Sequence, residues 1–427
     1  MTTTLRPSLA LSAAIVLMGG MATAETTLTV LIDNGAATVT AITALTEAYT
    51  AQNPDITFDI ETRLGGAEGD NMLKTRLATG EMNDIFLYNS GSLMQALNPT
   101  RTLVDLTDLP NQANVIDSFK TVVEADGKLF GVPILTAMGG GILYNIPLYE
   151  ELGLSIPTTW DEFMANNAAV LAAGRVPVAQ TYGTGATWTS QLFVLSDYFN
   201  VQAEVPDFAE RYTNNEAKYA TTPAALRGFE YLQSVHEAGY LNEDFGAATF
   251  EEGLRMVTMG EAAHYPMLTF AIGTIAETYP DNYMDVGFFA QPGPSADSNG
   301  LTVWMPAALY IPSTSENIDE ARAFLNWVAT TEACDVQTAA IGATGPYLVE
   351  GCTLPEDVNN VVAAMLPYFQ TEGANAPALE FLSPVKGPAM EQILVEVGSG
   401  IRSAADGAAL YDEDVRKQAQ QLGLPNW

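Results

Sequence analysis

The stretch Thr26-Thr27-Leu28-Thr29-Val30-Leu31-Ile32 (TTLTVLI), closing on Asp33-Asn34-Gly35, reads as a buried β-strand that ends in a polar loop. Directly downstream, Val39, Ile42, Leu45 and Tyr49 recur near a 3.6-residue period, which predicts a helix that Asn53-Pro54 stops. Ile56, Phe58 and Ile60 then alternate as a second strand. A helix with Met72, Leu73 and Leu77 on one face follows and ends at Gly80, and Asp84 to Tyr88 (DIFLY) makes a third strand. Strand and helix periods taking turns predict α/β layers and exclude an all-β or all-helical domain.

The same alternation resumes after Gly131-Val132-Pro133. Gly141 to Asn145 (GILYN) reads as a strand, and Thr159 and Glu162 stand at capping-box spacing at the head of a helix. A later helix, from Asn317 to Thr330, carries Ile318, Ala321, Phe324, Leu325 and Val328 on one side. Gln291 to Gly300 (QPGPSADSNG) is the clearest linker. No short internal repeat is found.

Arg6, the apolar stretch Leu9 to Leu17 and the A-x-A site Ala22-Thr23-Ala24 predict a secretory signal over residues 1–24, with a mature chain from Glu25. The apolar stretch is shorter than the roughly 20 residues a membrane span needs. The only cysteines, Cys334 and Cys352, lie far from the place where a lipid anchor would be attached, so a freely soluble, exported protein is expected. Two cysteines in an exported chain invite one disulfide, worth about 3 kcal/mol for a loop of this size in the chain-entropy model. The mature length exceeds one ordinary domain, and two lobes are expected. A formal charge of −34 argues against nucleic acid and anionic membrane surfaces as partners.

Several chemistries lack their raw material. Gly127-Lys128 is followed by Leu129, so no phosphate loop forms, and Gly183-Thr184-Gly185 lacks the third glycine of a dinucleotide fingerprint. Only His236 and His264 are present, without an HExxH motif, and both read as structural. No metal site, no cofactor and no catalytic residue is expected. Paired carboxylates for glycoside hydrolysis stay open as an alternative, because so acidic a chain offers acid pairs everywhere.

Six blocks, in order, resemble family 1 of the extracellular solute-binding proteins, the sugar-binding components of bacterial ABC importers. They are Leu77-Ala78-Thr79-Gly80 with Asp84-Ile85-Phe86; Phe130-Gly131-Val132-Pro133 with Tyr144-Asn145; Leu152-Gly153-Leu154 with Pro157 to Phe163; Met259-Gly260-Glu261-Ala262-Ala263; Asp319 to Trp327; and Val397-Gly398-Ser399-Gly400. The pattern is closest to α-glucoside-type binders. The resemblance implies a type II periplasmic-binding-protein-like α/β fold, with two lobes, a hinge and a ligand cleft between them. It implies an N-terminal lobe of residues 25–137 plus 300–350 and a C-terminal lobe of 138–299 plus 351–427. Ile134 to Gly141 would be the first crossing, its glycines giving torsional freedom, and Gln291 to Gly300 would lie near another. The implied function is periplasmic capture of a di- or oligosaccharide by a monomer that docks on ABC permease subunits. An exported carbohydrate-active enzyme and a binder of a non-sugar solute remain as alternatives.

A sugar shows hydroxyls at its rim and C–H groups on its faces, so its site needs polar planar groups and flat aromatic platforms. Asp33 and Asn34 at the end of the first strand, Glu68 after a Gly-Gly loop, and Tyr88, Asn89 and Ser90 after the third strand are the N-lobe candidates, with Asp70 read as a helix cap. Trp188, Met267 and Phe270 are the C-lobe candidates, Phe270 standing where the family often has Trp, and Trp304, just past the linker, is a candidate either to close over the sugar or to pack at the hinge. Trp160 and Trp327 are assigned to the core.

Overall fold

The computed structural model describes residues 1–2 and 26–427, so the expected signal sequence from residue 3 onward, with its cleavage site, lies outside the described residues. Two sheets organise the chain. In the first, Thr26–Asp33 pairs in parallel with Ile56–Arg63 on one side and with Ile85–Asn89 on the other. Ala307–Tyr310 then enters antiparallel to Ile85–Asn89 and to Gly131–Pro133. The carboxyl ends of the three parallel strands therefore put Asp33, Arg63 and Asn89 at one edge, where open α/β sheets take their ligands. The helix Ala36–Gln52 buries Ala41, Ile42, Leu45 and Tyr49, and it stops at Asn53 because Pro54 cannot continue it. The helix Gly66–Thr79 ends on Gly80, whose φ of 77° is the left-handed geometry that frees the chain to turn.

The second sheet is built on Met138–Asn145. This strand runs antiparallel to Ala262–Leu268 on one side, and on the other to Leu301–Trp304 along its first half and Val286–Ala290 along its second. Val176–Val178 and Asn375–Pro377 complete the edges in parallel with their neighbours. The helix Trp160–Ala172 opens with both hydrogen bonds of the Thr159–Glu162 capping box. Trp160 stacks on Tyr231 at 3.8 Å between ring centroids, and Trp327 packs partly buried against the first core.

The chain passes between the sheets three times, at residues 134–137, at Met305–Pro306 and after Cys352. The expected lobe boundary at 300 moves, because Leu301–Trp304 is paired with Met138–Gly140 and so belongs to the second sheet. Gln291 to Gly300 is accordingly a loop inside that lobe, held by Trp160 N–H donating to Gly293 O (2.8 Å). The glycines 139–141 are likewise strand residues. A Cβ at Gly140 would lie 2.1 Å from the Trp304 ring, so glycine serves close packing there rather than hinge rotation. The residue with unusual torsion at the crossing is Leu135, at φ 66°.

Candidate ligand-binding cleft

A cleft of about 610 Å³ lies between the two sheets and is lined from both lobes. Its first wall comes from strand ends and one helix face. Asp33, Asn34, Arg63 and Asn89 stand at the carboxyl ends of strands, and Ala67, Asp70, Asn71 and Lys74 repeat along one side of Gly66–Thr79. Asp33 Oδ1 also accepts from the Gly35 N–H at 3.0 Å, so it closes a local turn while facing the cleft. Arg63 is buried, its Nη1 donating to Leu64 O (3.1 Å) and lying 3.7 Å from Asp70. The Tyr88 hydroxyl donates to the other Asp70 oxygen at 3.0 Å, which fixes this carboxylate from behind.

The second wall is aromatic. Trp188, Phe250 and Phe270 form a continuous surface, with Trp188 5.6 Å from Phe250 and 6.1 Å from Phe270. Phe250 and Phe270 are 6.1 Å apart, their rings within 18° of parallel. Trp304 packs its ring against Gly140 and donates from Nε1 to Glu380 Oε1 (2.6 Å), while Glu380 Oε2 holds Lys386 at 2.8 Å. Two of the cleft's three cations are thus matched to an acid of their own lobe.

Glu391 joins the walls. Its Oε2 accepts from Thr187 Oγ1 in its own lobe (2.9 Å) and from the Ala67 N–H of the opposite lobe (3.2 Å). Burial pushes its carboxyl above the usual range, with the Thr187 bond and Lys386 pulling the other way. The helix it meets has Gly65 as N-cap and no side-chain cap of its own, so a carboxylate from across the cleft takes that position.

Of the ten candidate residues, the cleft brings together Asp33, Asn34, Asn89, Trp188, Phe270 and Trp304. It leaves out Tyr88, Ser90 and Met267 for one reason. Strand side chains alternate, so Leu87, Asn89 and Leu268 face the cleft while their immediate neighbours turn into the core. Ser90 instead donates to Met305 O at 2.7 Å, tying the third strand to the second crossing. Glu68 is solvent-exposed and off the face that carries Ala67, Asp70 and Lys74. Asp70 is no cap, because the helix begins four residues earlier. Reading the sequence missed Arg63, Lys74, Phe250, Glu380, Lys386 and Glu391. For Phe250 a signal was available: Thr249 and Glu252 form a second capping box, which fixes where Phe250 sits.

The described residues hold no group of three or more metal-ligating side chains, and no described helix is long and apolar enough to cross a membrane. His264 is fully buried between Tyr149 OH (2.6 Å from Nε2) and Asn167 Oδ1 (2.8 Å from Nδ1), away from the cleft. Burial lowers its pKa to about 3, so it is neutral and structural.

Two α/β lobes joined by three crossings, with a ligand-sized cleft walled by both, make the architecture of a protein that captures a small solute by closing around it. Residues 33–333 match the family described as bacterial extracellular solute-binding protein, and the chain belongs to that family. A multiple sugar-binding protein of Streptococcus mutans is 24% identical over 297 residues, covering 69% of this chain and 68% of the relative. Among solved structures, a chitin oligosaccharide binding protein superposes with a TM-score of 0.81 at 21% identity, over 93% of this chain and 99% of that one. A solute-binding protein in complex with raffinose gives 0.74 at 20% identity, over 93% and 99%. The fold is that of the type II periplasmic solute-binding proteins.

Proposed function

We propose that this protein captures a neutral di- or oligosaccharide outside the inner membrane and delivers it to the membrane subunits of an ABC importer. The observation that carries the reading is the pairing of the Trp188–Phe250–Phe270 surface with a facing wall of carboxylates, amides and the ion-paired Arg63. Aromatic rings cover the C–H faces of a sugar, and planar polar groups take its hydroxyls. Relatives named for multiple sugars, chitin oligosaccharide and raffinose support the same class. Export by residues 1–24 with cleavage after Ala24, a periplasmic location, a monomeric state and the absence of a membrane anchor belong to this proposal.

Capture requires no bond to break, and the carboxylates act here as acceptors and lobe-to-lobe contacts. The test is a melting-temperature screen against a panel of α-glucosides, β-linked oligosaccharides and galactosides. A true ligand at a hundredfold excess over Kd adds about 2.7 kcal/mol of stability. A panel that leaves the transition unmoved while amino acids, polyamines or phosphate esters raise it overturns the sugar assignment. Release of reducing ends from a bound oligosaccharide overturns the non-catalytic one.

A further inference from the structure

The disulfide between Cys334 and Cys352 lies away from the cleft wall, yet the segment it closes holds the hinge. The first crossing is gripped by that segment residue by residue. Leu135 N–H donates to Gln337 Oε1 at 2.8 Å, the Thr136 and Thr344 hydroxyls are 2.8 Å apart, and Ala137 N–H donates to Pro346 O at 2.7 Å. Thr136 also forms a backbone bridge with Tyr347. Gly345 lies so close that a Cβ there would be 2.1 Å from Ala137 O. Leu135 needs this grip, because at φ 66° a leucine is held in a left-handed conformation that persists only when its surroundings impose it.

The closed segment is itself fixed to the first lobe. Ile116 N–H donates to Leu348 O (3.0 Å) and Glu350 N–H to Asn114 O (2.7 Å). Immediately after Cys352 the chain leaves for the third crossing and enters the helix Asn360–Gln370, which packs on the second sheet. The cap of that helix, Asn359, reaches back from Nδ2 to Ala343 O at 2.9 Å. One covalently closed segment therefore lies along the first crossing and ends where the third begins.

We infer that the Cys334–Cys352 disulfide sets the resting geometry of the hinge, and through it the fraction of ligand-free protein that is ready to close. Opening the bond lets residues 335–351 drift from residues 135–137, and Leu135 then relaxes to an ordinary torsion. The interlobe angle spreads over more states, and apparent affinity falls by the fraction of closure-competent molecules lost. The role concerns closure alone and holds whatever solute the cleft takes.

The test compares oxidised wild type with the Cys334→Ser/Cys352→Ser double variant, both ligand-free, by hydrogen exchange and small-angle X-ray scattering. Amides of residues 134–137 are expected to exchange about tenfold faster or more, while Thr26–Asp33 and Ala262–Leu268 keep their protection. The scattering is expected to report a broader, larger average radius. Unchanged exchange at 134–137 overturns the inference, and so does an equal loss of protection in both sheets, which would mark the bond as a global staple only. If the double variant does not fold, Gln337→Leu and Thr344→Val in the oxidised protein remove the acceptor of Leu135 and the partner of Thr136. The same local acceleration is then expected, and its absence counts against the inference.

Discussion

At the scale of single residues, Asp197 and His264 are buried groups that titrate in opposite senses. Burial pushes Asp197 up to about 8, against the pull of its Asn200 hydrogen bond and of Arg227. An unfolded aspartate ionises near 3.8, so between these values the folded state holds the extra proton and stability falls as pH rises. His264 is the reverse. The unfolded ring binds a proton below about 6.5 and the folded ring only near 3, so its contribution is complete above 6.5 and lost as pH falls. The two slopes oppose each other from about 4 to 6.5, and from there to about 8 Asp197 acts alone. Asp197→Asn should therefore gain on wild type by about 1.4 kcal/mol per pH unit across pH 5 to 7, read from urea unfolding at fixed salt. Parallel curves would show that Asp197 is ionised in the fold. Trp188 carries the other residue-scale expectation. Trp188→Ala should weaken ligand binding by about 2 kcal/mol, roughly thirtyfold in Kd, with Trp188→Phe recovering most of it in the same calorimetric titration.

Elements differ in how much of them could be read in advance. The helices Ala36–Gln52, Gly66–Thr79 and Trp160–Ala172 and the three parallel strands were legible because periodicity, caps and stops are local. Facing was less so: Asn89 and Tyr88 are neighbours in sequence, and only the register of Ile85–Asn89 against Ala307–Tyr310 fixes which of them faces the cleft. Glu380, Lys386 and Glu391 were illegible, since they reach the cleft only after the third crossing and no local motif announces them. Glu391 matters most among these, because it caps a helix of the other lobe and so exists as a contact only when the lobes meet. Glu391→Ala should cost about 1.5 kcal/mol of binding, near tenfold, expressed mainly in a faster dissociation rate by stopped-flow fluorescence. Glu391→Gln keeps an acceptor for the Ala67 N–H and should restore part of the loss. An effect confined to the association rate would place Glu391 outside closure.

For the whole molecule, charge sets the remaining expectation. A formal charge of −34 on 427 residues gives the compact state a standing self-repulsion that dissolved salt screens. The composition announced this term, but whether it extends into the cleft depends on pairings that only the fold creates. Arg63 sits 3.7 Å from Asp70 and Lys386 2.8 Å from Glu380, so these acids and bases of the walls neutralise one another across short distances that salt screens little. Stability and binding should therefore separate. The melting temperature is expected to rise between about 10 mM and 150 mM sodium chloride, as the screening length falls from about 30 to about 8 Å. The Kd of an uncharged oligosaccharide should hold constant over the same range, because no net charge enters the cleft with it. Measured on one preparation, a Kd that follows salt as steeply as the melting temperature would show that the solute carries charge, and the cleft's paired ions would then be recognition groups for that charge.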